Sequence, residues 1–286
     1  MNLHTLIPIV LKASVLLNIF ALGLRANIRD AGFLFRRPGE LFRALLAMNV
    51  LMPLVALVLV IKMDLDPAVK IALVALSVSP IPPLLPKKLV KSGGSAEYAT
   101  GLLIAVGLLA IIFVPLAMEL IERVLDVPLQ MTAASIATLI LMTVLLPIGL
   151  GVAMRTVAPA VAGRLVKPIS VIAGIVLLAC VVAIVWVAFP IILTVAKSAN
   201  VIAIAAFVLA GLVMGYLLGG PGEENRASLA IATSSRHPGI AIAIAQANFP
   251  GQKLALAAVL LYLLINAIVS IPFQWWTKRR ARGPAA

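Results

Sequence analysis

Arg236 and His237 are the side chains of this sequence with the most chemistry to offer, because both lie inside an apolar stretch. The segment reads Ala-Thr-Ser-Ser-Arg-His-Pro-Gly-Ile over residues 232–240. Arginine is always protonated, and its planar fork suits a carboxylate, sulfate or phosphate. Histidine exchanges a proton near neutral pH. The pair therefore predicts a fixed positive charge that binds an anionic substrate. Two alternatives are proton exchange at His237 and a structural arginine that donates to backbone carbonyls.

Two proline-containing interruptions carry further polar residues. The first reads Ser-Val-Ser-Pro-Ile-Pro-Pro over 77–83, and the second reads Arg-His-Pro-Gly over 236–239. Proline removes a backbone N–H and clashes with the preceding helical turn, so each interruption is expected to break a helix near its midpoint. The expected helix-breaking residues are Pro80, Pro82, Pro83, Pro238 and Gly239. The hydroxyls of Ser79, Ser234 and Ser235 either bind a substrate or ion there or bond back to the preceding turn.

Three asparagines, Asn18, Asn49 and Asn266, lie inside other apolar stretches. A buried amide must find hydrogen-bond partners, so each either joins neighbouring helices or lines a cavity. The sequence has no phosphate-binding loop, no zinc-ligand spacing and no nucleophile–base pair. We therefore expect neither an enzyme nor a bound cofactor.

The composition predicts a membrane protein. Of the 286 residues, 63% are hydrophobic and 12% are charged, whereas a soluble domain is about 45–50% apolar and about 25% charged. The single cysteine excludes an intrachain disulfide. The net charge of +13 comes from Lys and Arg in short links, which is typical of cytoplasmic loops rather than of a nucleic-acid surface.

The fold class predicted is all-α and polytopic, with about nine transmembrane helices. Most Lys and Arg fall on one side of the resulting topology, which places the N-terminus outside and the C-terminus in the cytoplasm of a cell (inner) membrane. The apolar stretches cover residues 6–24, 41–61, 68–91, 96–121, 132–154, 169–196, 201–218, 227–247 and 254–276.

The two interruptions fall in the third and eighth stretches, which run in opposite directions. This spacing predicts inverted repeats, with stretches one to four related to stretches six to nine and the fifth as a connector. Paired discontinuous helices in inverted repeats are the layout of many secondary transporters. A channel, which would need a continuous polar stripe, is a distant alternative.

The order and spacing of these features resemble the bile acid:sodium symporter family, within the bile-acid, arsenite and riboflavin transporter superfamily. The resemblance rests on Ala-Leu-Gly-Leu-Arg-Ala-Asn at 21–27, Met-Pro at 52–53 and the segments 79–83 and 232–241. It implies one transporter domain over 1–286, in which two broken helices cross. The core would hold the spans within 41–121 and 201–276, and the panel those within 6–24 and 132–196.

The resemblance implies secondary active symport of a small organic anion with sodium, by alternating access. The chain departs from the sodium-coupled members where an acidic residue opens their second motif, because Ala232 stands there. Arg236 and His237 replace the amide side chains that follow, so the side chains expected to hold sodium are largely missing. A sodium-independent exporter of the same superfamily, proton-coupled or exchanging, is the alternative. Substrate, direction and oligomeric state are left open.

Overall fold

The computed structural model of the chain describes residues 3–26, 32–82, 85–91, 94–125, 132–252 and 254–281. Within these ranges every regular element is a helix, which confirms the all-α prediction for them. The helices, numbered in chain order, are α1 (Leu3–Gly23), α2 (Pro38–Lys62), α3 (Pro67–Val78), α4 (Leu85–Lys91), α5 (Ala96–Leu125), α6 (Ala133–Ile140 continuing through Leu141–Leu145 and Leu146–Val157), α7 (Pro159–Val195), α8 (Ser198–Leu218), α9 (Glu223–Ser234), α10 (Pro238–Asn248) and α11 (Leu254–Ala281).

Six of the described helices are long and apolar enough to cross a membrane, namely α2, α5, α6, α7, α8 and α11. The chain is therefore a multi-pass membrane protein. The segment Ile9–Gly23 of α1 and the whole of α3 are shorter apolar helices. The third and eighth predicted stretches are each divided into two short helices, and so the count of nine spans stays a prediction.

Both predicted interruptions are present as helix breaks. The first separates α3 from α4, and the second separates α9 from α10. A serine with extended backbone follows each helix, Ser79 at φ −68° and ψ 140° and Ser235 at φ −103° and ψ 122°. A proline stands three residues after each serine, at Pro82 and Pro238. The predicted helix breaker Pro83 lies outside the described residues.

The segment between the fifth and sixth apolar stretches, where the sequence predicts a link over 155–167, is largely helical. The structure ends α6 at Val157 and begins α7 at Pro159, with Ala158 between them. Proline suits the first turn of a helix, where its missing N–H costs nothing. The exposed basic side chains Arg164 and Lys167 allow α7 to continue into the polar region. Hydropathy marks only the apolar part of a helix, which is why the sequence placed its start too late.

Glycines let α8 lie directly on α9. A Cβ at Gly211 would be 2.7 Å from the Cα of Ser234, and a Cβ at Gly215 would be 2.6 Å from the Cα of Ala230. Both distances are far inside a normal carbon–carbon contact of about 3.5–4.0 Å. Small residues at such positions allow membrane helices to approach closely. This packing fixes α9 up to the residue where the second break begins.

A second group of helices is built around α1, which packs against α6 and α7. Gly23 of α1 and Gly151 of α6 face each other, and a Cβ at either would collide with the backbone of the other helix. Around the breaks, α3 packs against α10 and α11, and the two groups meet where α7 packs against α11 and α6 against α5.

An ion pair ties the α2–α3 link to the start of α8. The carboxylate of Asp66 accepts hydrogen bonds from Lys197 Nζ and from Asn200 Nδ2, both at 2.8 Å. The same Asn200 amide group donates to the Val195 carbonyl at the end of α7, at 2.9 Å. The hydrogen bond from Lys197, followed by that from Asn200, lowers the pKa of Asp66 below its usual range.

Replacing Asp66 by Asn should remove part of the protein's sensitivity to acid. Because the pKa of Asp66 is lower in the folded state, the unfolded chain binds the proton first as the pH falls. The stabilisation is therefore present above the unfolded value of about 3.9 and is lost as the pH falls through the lower folded pKa. Thermal unfolding at pH 7 and in mild acid tests this, with Asp64→Asn, an exposed neighbour, as the control. Equal acid sensitivity of wild type and Asp66→Asn would contradict the assignment.

Candidate binding site at the junction of two broken helices

The two helix breaks touch each other. The backbone N–H of His237 donates to the carbonyl oxygen of Pro80 at 2.8 Å. We call the contact between residues 79–82 and 235–237 the junction. Backbone outside a regular helix leaves polar groups that lipid cannot satisfy. At the junction, part of this unpaired main chain is satisfied by the other break.

Arg236 lies at the centre of the junction and is 1% exposed. Its Nη1 donates to the Ser79 carbonyl at 3.2 Å, and its Nη2 donates to the Met48 carbonyl of α2 at 2.7 Å. No salt bridge in the described part of the chain includes Arg236. The guanidinium therefore joins α2 to both breaks while keeping an uncompensated positive charge.

Prolines explain why the carbonyls of Ser79 and Met48 are free to accept hydrogen bonds from Arg236. The helical partner of the Ser79 carbonyl would be the N–H of residue 83, which is a proline. Met48 lies in a π-helical turn of α2, Leu46–Leu51, where the partner would be five residues ahead. That residue is Pro53. Each carbonyl thus lacks its regular donor because of the sequence, and the arginine fork supplies one.

The ends of two helices add electrostatic support for the arginine. Ser79 directly follows the C-terminus of α3, and Arg236 lies two residues beyond that of α9. A helix C-terminus carries a partial negative charge. Both ends therefore favour a cation here, which accounts for a buried arginine with no carboxylate bonded to it among the described residues.

Tyr262 of α11 holds the second break from the other side. Its hydroxyl accepts a hydrogen bond from the Arg236 backbone N–H and donates one to the Ser234 carbonyl, both at 2.7 Å. Asn266, one turn further along α11, donates to the same hydroxyl at 3.3 Å and accepts from Ser270 Oγ at 2.7 Å. This chain of buried polar groups fixes the extended residues of the second break.

Tyr262→Phe should lower the free energy of unfolding by about 2–6 kcal/mol, because a buried N–H and a buried carbonyl each lose a partner at about 1–3 kcal/mol. Tyr216→Phe is the matched control, since the Tyr216 hydroxyl bonds only the exposed Glu223 carboxylate and the Arg280 guanidinium among the hydrogen bonds described. Chemical denaturation of the purified protein measures both. Equal stability of Tyr262→Phe and wild type would show that the hydroxyl does not hold the break.

His237 caps the helix that follows the second break. Its Nδ1 accepts a hydrogen bond from the backbone N–H of Ile240 at 3.3 Å, so the proton of the neutral ring lies on Nε2. A Cβ at Gly239 would be 3.2 Å from the His237 ring, and the absence of a side chain there gives the ring its space. Pro238 occupies the first turn of α10, where no N–H is required.

A family model covers much of the chain. The model of the sodium bile acid symporter family matches residues 13–195, about two thirds of the sequence. The chain belongs to the sodium bile acid symporter family. This confirms the resemblance drawn from the sequence. Members of this family are transporters. The matched region includes the first break and ends at the last residue of α7, before the second break. No curated protein matches the chain.

In this member of the sodium bile acid symporter family, most of the candidate residues lie at or beside the junction. Ser79 and Ser234 contribute carbonyls, while their hydroxyls bond back to Ala75 and Ile231. Asn266 reaches the junction through Tyr262. The binding roles assigned to these residues, and to Arg236, stay predictions.

Two candidate asparagines have different positions. Asn49 follows Met48 in the π-helical turn, and its Nδ2 is buried without a partner among the described residues. Asn18 lies on α1, and its amide group donates to the Ser14 carbonyl. The structure therefore brings Asn49 to the neighbourhood of Arg236 and leaves Asn18 in the α1–α6–α7 group.

Sequence reasoning missed two contributors to the junction, Tyr262 and the Met48 carbonyl. A tyrosine hydroxyl inside an apolar stretch needs a partner, and Tyr262 stands one turn before Asn266, which is a usable signal. Pro53 likewise indicated an unpaired carbonyl in α2. Neither signal identifies which residue would provide the partner.

Proposed function

We propose that this family member is a secondary transporter that moves a small organic anion by alternating access, with the fixed charge of Arg236 in the place of a coupling cation. The observation that carries the proposal is the buried guanidinium at the contact of two helix breaks. A charged side chain deep in a bilayer costs about 2.5–3.5 kcal/mol, and such residues commonly mark substrate or ion pathways.

The proposed architecture is two inverted repeats in nine spans, with the N-terminus outside and the C-terminus in the cytoplasm. Support comes from the shared form of the breaks, in which an extended serine precedes a proline by three residues in each. We further propose that α1, α6 and α7 form a panel and that the remaining helices form a core. The packing of α1 against α6 and α7 supports this division.

The charge of Arg236 argues against a sodium ion at the junction. Two like charges about 4 Å apart lose roughly 4 kcal/mol at an effective dielectric constant of about 20. The Ser79 and Met48 carbonyls, which are the type of oxygen that sodium binds, already accept from the guanidinium. Sodium-coupled symport is the second candidate function, and the family to which the chain belongs favours it.

A thermal-shift screen of small carboxylates and sulfonates on the purified protein, in sodium and in potassium salts, tests the proposal. Uptake of the most stabilising compound into proteoliposomes then follows. We expect equal stabilisation in both salts, and uptake that does not respond to an imposed sodium gradient. Stabilisation and uptake that require sodium would establish the second candidate instead. No transport of any stabilising anion would overturn the proposed function.

A further inference from the structure

A gap separates α5 from the second half of α6. Helix α5 packs against the Ala133–Ile140 and Leu141–Leu145 segments of α6, whereas the Leu146–Val157 segment packs against α1 and α7. The contacts change where α6 contains a π-helical turn, Leu141–Leu145, and Pro147. A π-helical turn and a proline both interrupt the regular hydrogen bonds of a helix and are common positions for a bend. The sequence of α6 therefore allows its second half to leave α5.

Two glycines mark where the helices touch and where they do not. A Cβ at Gly107 of α5 would be 3.5 Å from the side chain of Leu145, which is an ordinary van der Waals contact. A Cβ at Gly149, which lies one turn further along α6 and lines the gap, would meet no atom within 4 Å. The gap has a volume of about 550 Å³, within the range of about 300–1,000 Å³ that is common for small-molecule pockets.

The walls of the gap are apolar. They include Ile104 and Leu108 of α5 and Ile148 and Val152 of α6. Thr156 is the one residue with a polar side chain among the described lining residues, and its hydroxyl already donates to the Val152 carbonyl at 2.9 Å. A buried water molecule requires about two to four polar partners, so these walls do not hold water.

The gap faces the hydrocarbon of the membrane. Both α5 and α6 are long and apolar enough to cross a membrane, and Leu108, which lines the gap, is 42% exposed. Space that opens sideways between two such helices is in contact with lipid chains. Hydrocarbon is therefore the material that fills it.

A second apolar groove shows what the α5–α6 gap has in addition. The lining residues of this groove, which include Leu178 and Trp186, all belong to α7. A lipid chain in that groove would touch one helix and exchange with the surrounding lipid. In the α5–α6 gap a chain would contact two helices, and close packing of apolar atoms is a main source of attraction inside a membrane.

We infer that the gap between α5 and the second half of α6 binds one acyl chain of a bilayer phospholipid, and that this chain keeps the two helices apart. The chain contacts Ile104 and Leu108 on one side and Ile148 and Val152 on the other. This lipid site is independent of the proposed function. In the proposed division of the molecule it lies between the panel and the core, in the space that closes if the panel moves toward α5.

Gly149→Leu tests the occupancy of the gap, because the new side chain fills it with protein atoms. Gly174→Leu is the matched control, the same substitution on α7, where a Cβ would also meet no atom within 4 Å. Leucine favours a helix more than glycine does, so both variants should fold, which the thermal unfolding midpoint checks. Each full chain is reconstituted in palmitoyl-oleoyl phosphatidylcholine, extracted in mild detergent and weighed by native mass spectrometry. We expect wild type and Gly174→Leu to retain one phospholipid that Gly149→Leu has lost.

Photo-crosslinking locates the chain in the wild-type protein, without any substitution. A phosphatidylcholine with a diazirine at the middle of one acyl chain is carried through the same extraction. We expect it to label the peptide that contains Ile104 and Leu108 and the peptide that contains Ile148 and Val152. Labelling of α7 as strong as that of these peptides, or equal phospholipid retention by Gly149→Leu and wild type, would overturn the site. Retention of detergent but of no phospholipid by wild type would overturn it as well.

The spacing role of the lipid is measured as a distance. Spin labels are placed at the ends of α5 and α6 farthest from the link between them, at the exposed positions Glu97→Cys and Val157→Cys, in a chain in which Cys180 is replaced by Ala. We expect this distance to shorten when lipid is removed, to recover when phosphatidylcholine is added, and not to respond to lipid when Gly149→Leu is also present. A distance that ignores lipid without Gly149→Leu would refute the spacing role. Neither readout requires transport, so a failure of anion uptake would refute the proposed function and leave this inference intact.

Discussion

Replacing Arg236 by Gln is expected to abolish uptake of an organic anion while folded protein remains in the membrane. The Ser79 and Met48 carbonyls lose their donor, at about 1–3 kcal/mol each. Removal of a buried charge recovers about 2.5–3.5 kcal/mol on insertion scales. The two effects are of similar size and opposite sign, so the thermal unfolding midpoint should change little. The fixed charge, in contrast, is lost completely.

Arg236→Lys distinguishes the charge from the fork. Lysine keeps the positive charge but presents a compact ammonium that cannot reach two carbonyls in a planar arrangement. We expect it to retain some uptake, at a rate well below that of wild type. Uptake per folded molecule is the measurement, with surface-exposed Arg123→Gln as the control because its partner Glu119 is also exposed. Arg236→Gln that transports like wild type would assign the arginine a structural role only.

Gly211→Ala is expected to impair both folding and transport, although the change adds one methyl group. The new Cβ would lie 2.7 Å from the Cα and 2.9 Å from the backbone nitrogen of Ser234. Backbone atoms cannot move aside as a flexible side chain does, so α9 must shift as a unit. Overpacking of this kind costs about 1–3 kcal/mol. Because the second break begins at the end of α9, the shift also displaces Arg236 from its carbonyls.

Gly174→Ala provides the matched control for that change. Gly174 lies in α7, and a Cβ there would meet no atom within 4 Å. Its stability and uptake should equal those of wild type. The unfolding midpoint and the uptake rate are measured for both variants in the same lipid. Indistinguishable behaviour of Gly211→Ala and Gly174→Ala would show that the α8–α9 contact does not position the junction.

The positions of the helix breaks could be predicted from the sequence because proline acts locally. Pro80, Pro82 and Pro238 each remove an N–H from a helix that is otherwise apolar, whatever the rest of the fold does. The length of each apolar stretch predicted the other helices for the same reason, because it too depends only on the local sequence. The early start of α7 at Pro159 was missed, because a helix that continues beyond the apolar region leaves no mark in hydropathy.

The partners of the junction could not be predicted, because they come from segments far apart in the sequence. Met48 lies 188 residues from Arg236, and Tyr262 lies 28 residues from the Ser234 carbonyl to which it donates. A sequence indicates that a carbonyl is unpaired but not which side chain will reach it. The Asp66–Asn200 contact, which joins the α2–α3 link to α8 across 134 residues of sequence, is another example of this limit.

The two broken helices meet at a junction inside the protein, and an engineered disulfide tests this contact most directly. Pro80→Cys and His237→Cys are introduced into a chain in which Cys180, the only cysteine, is replaced by Ala. A disulfide requires Cβ atoms about 3.5–4.5 Å apart. The hydrogen bond between residues 80 and 237 predicts that oxidation in membranes links this pair. The control pair is Pro80→Cys with Leu178→Cys. Leu178 is 65% exposed on α7, and this pair should stay reduced. Thiols at 80 and 237 that remain as free as those of the control pair would contradict the account.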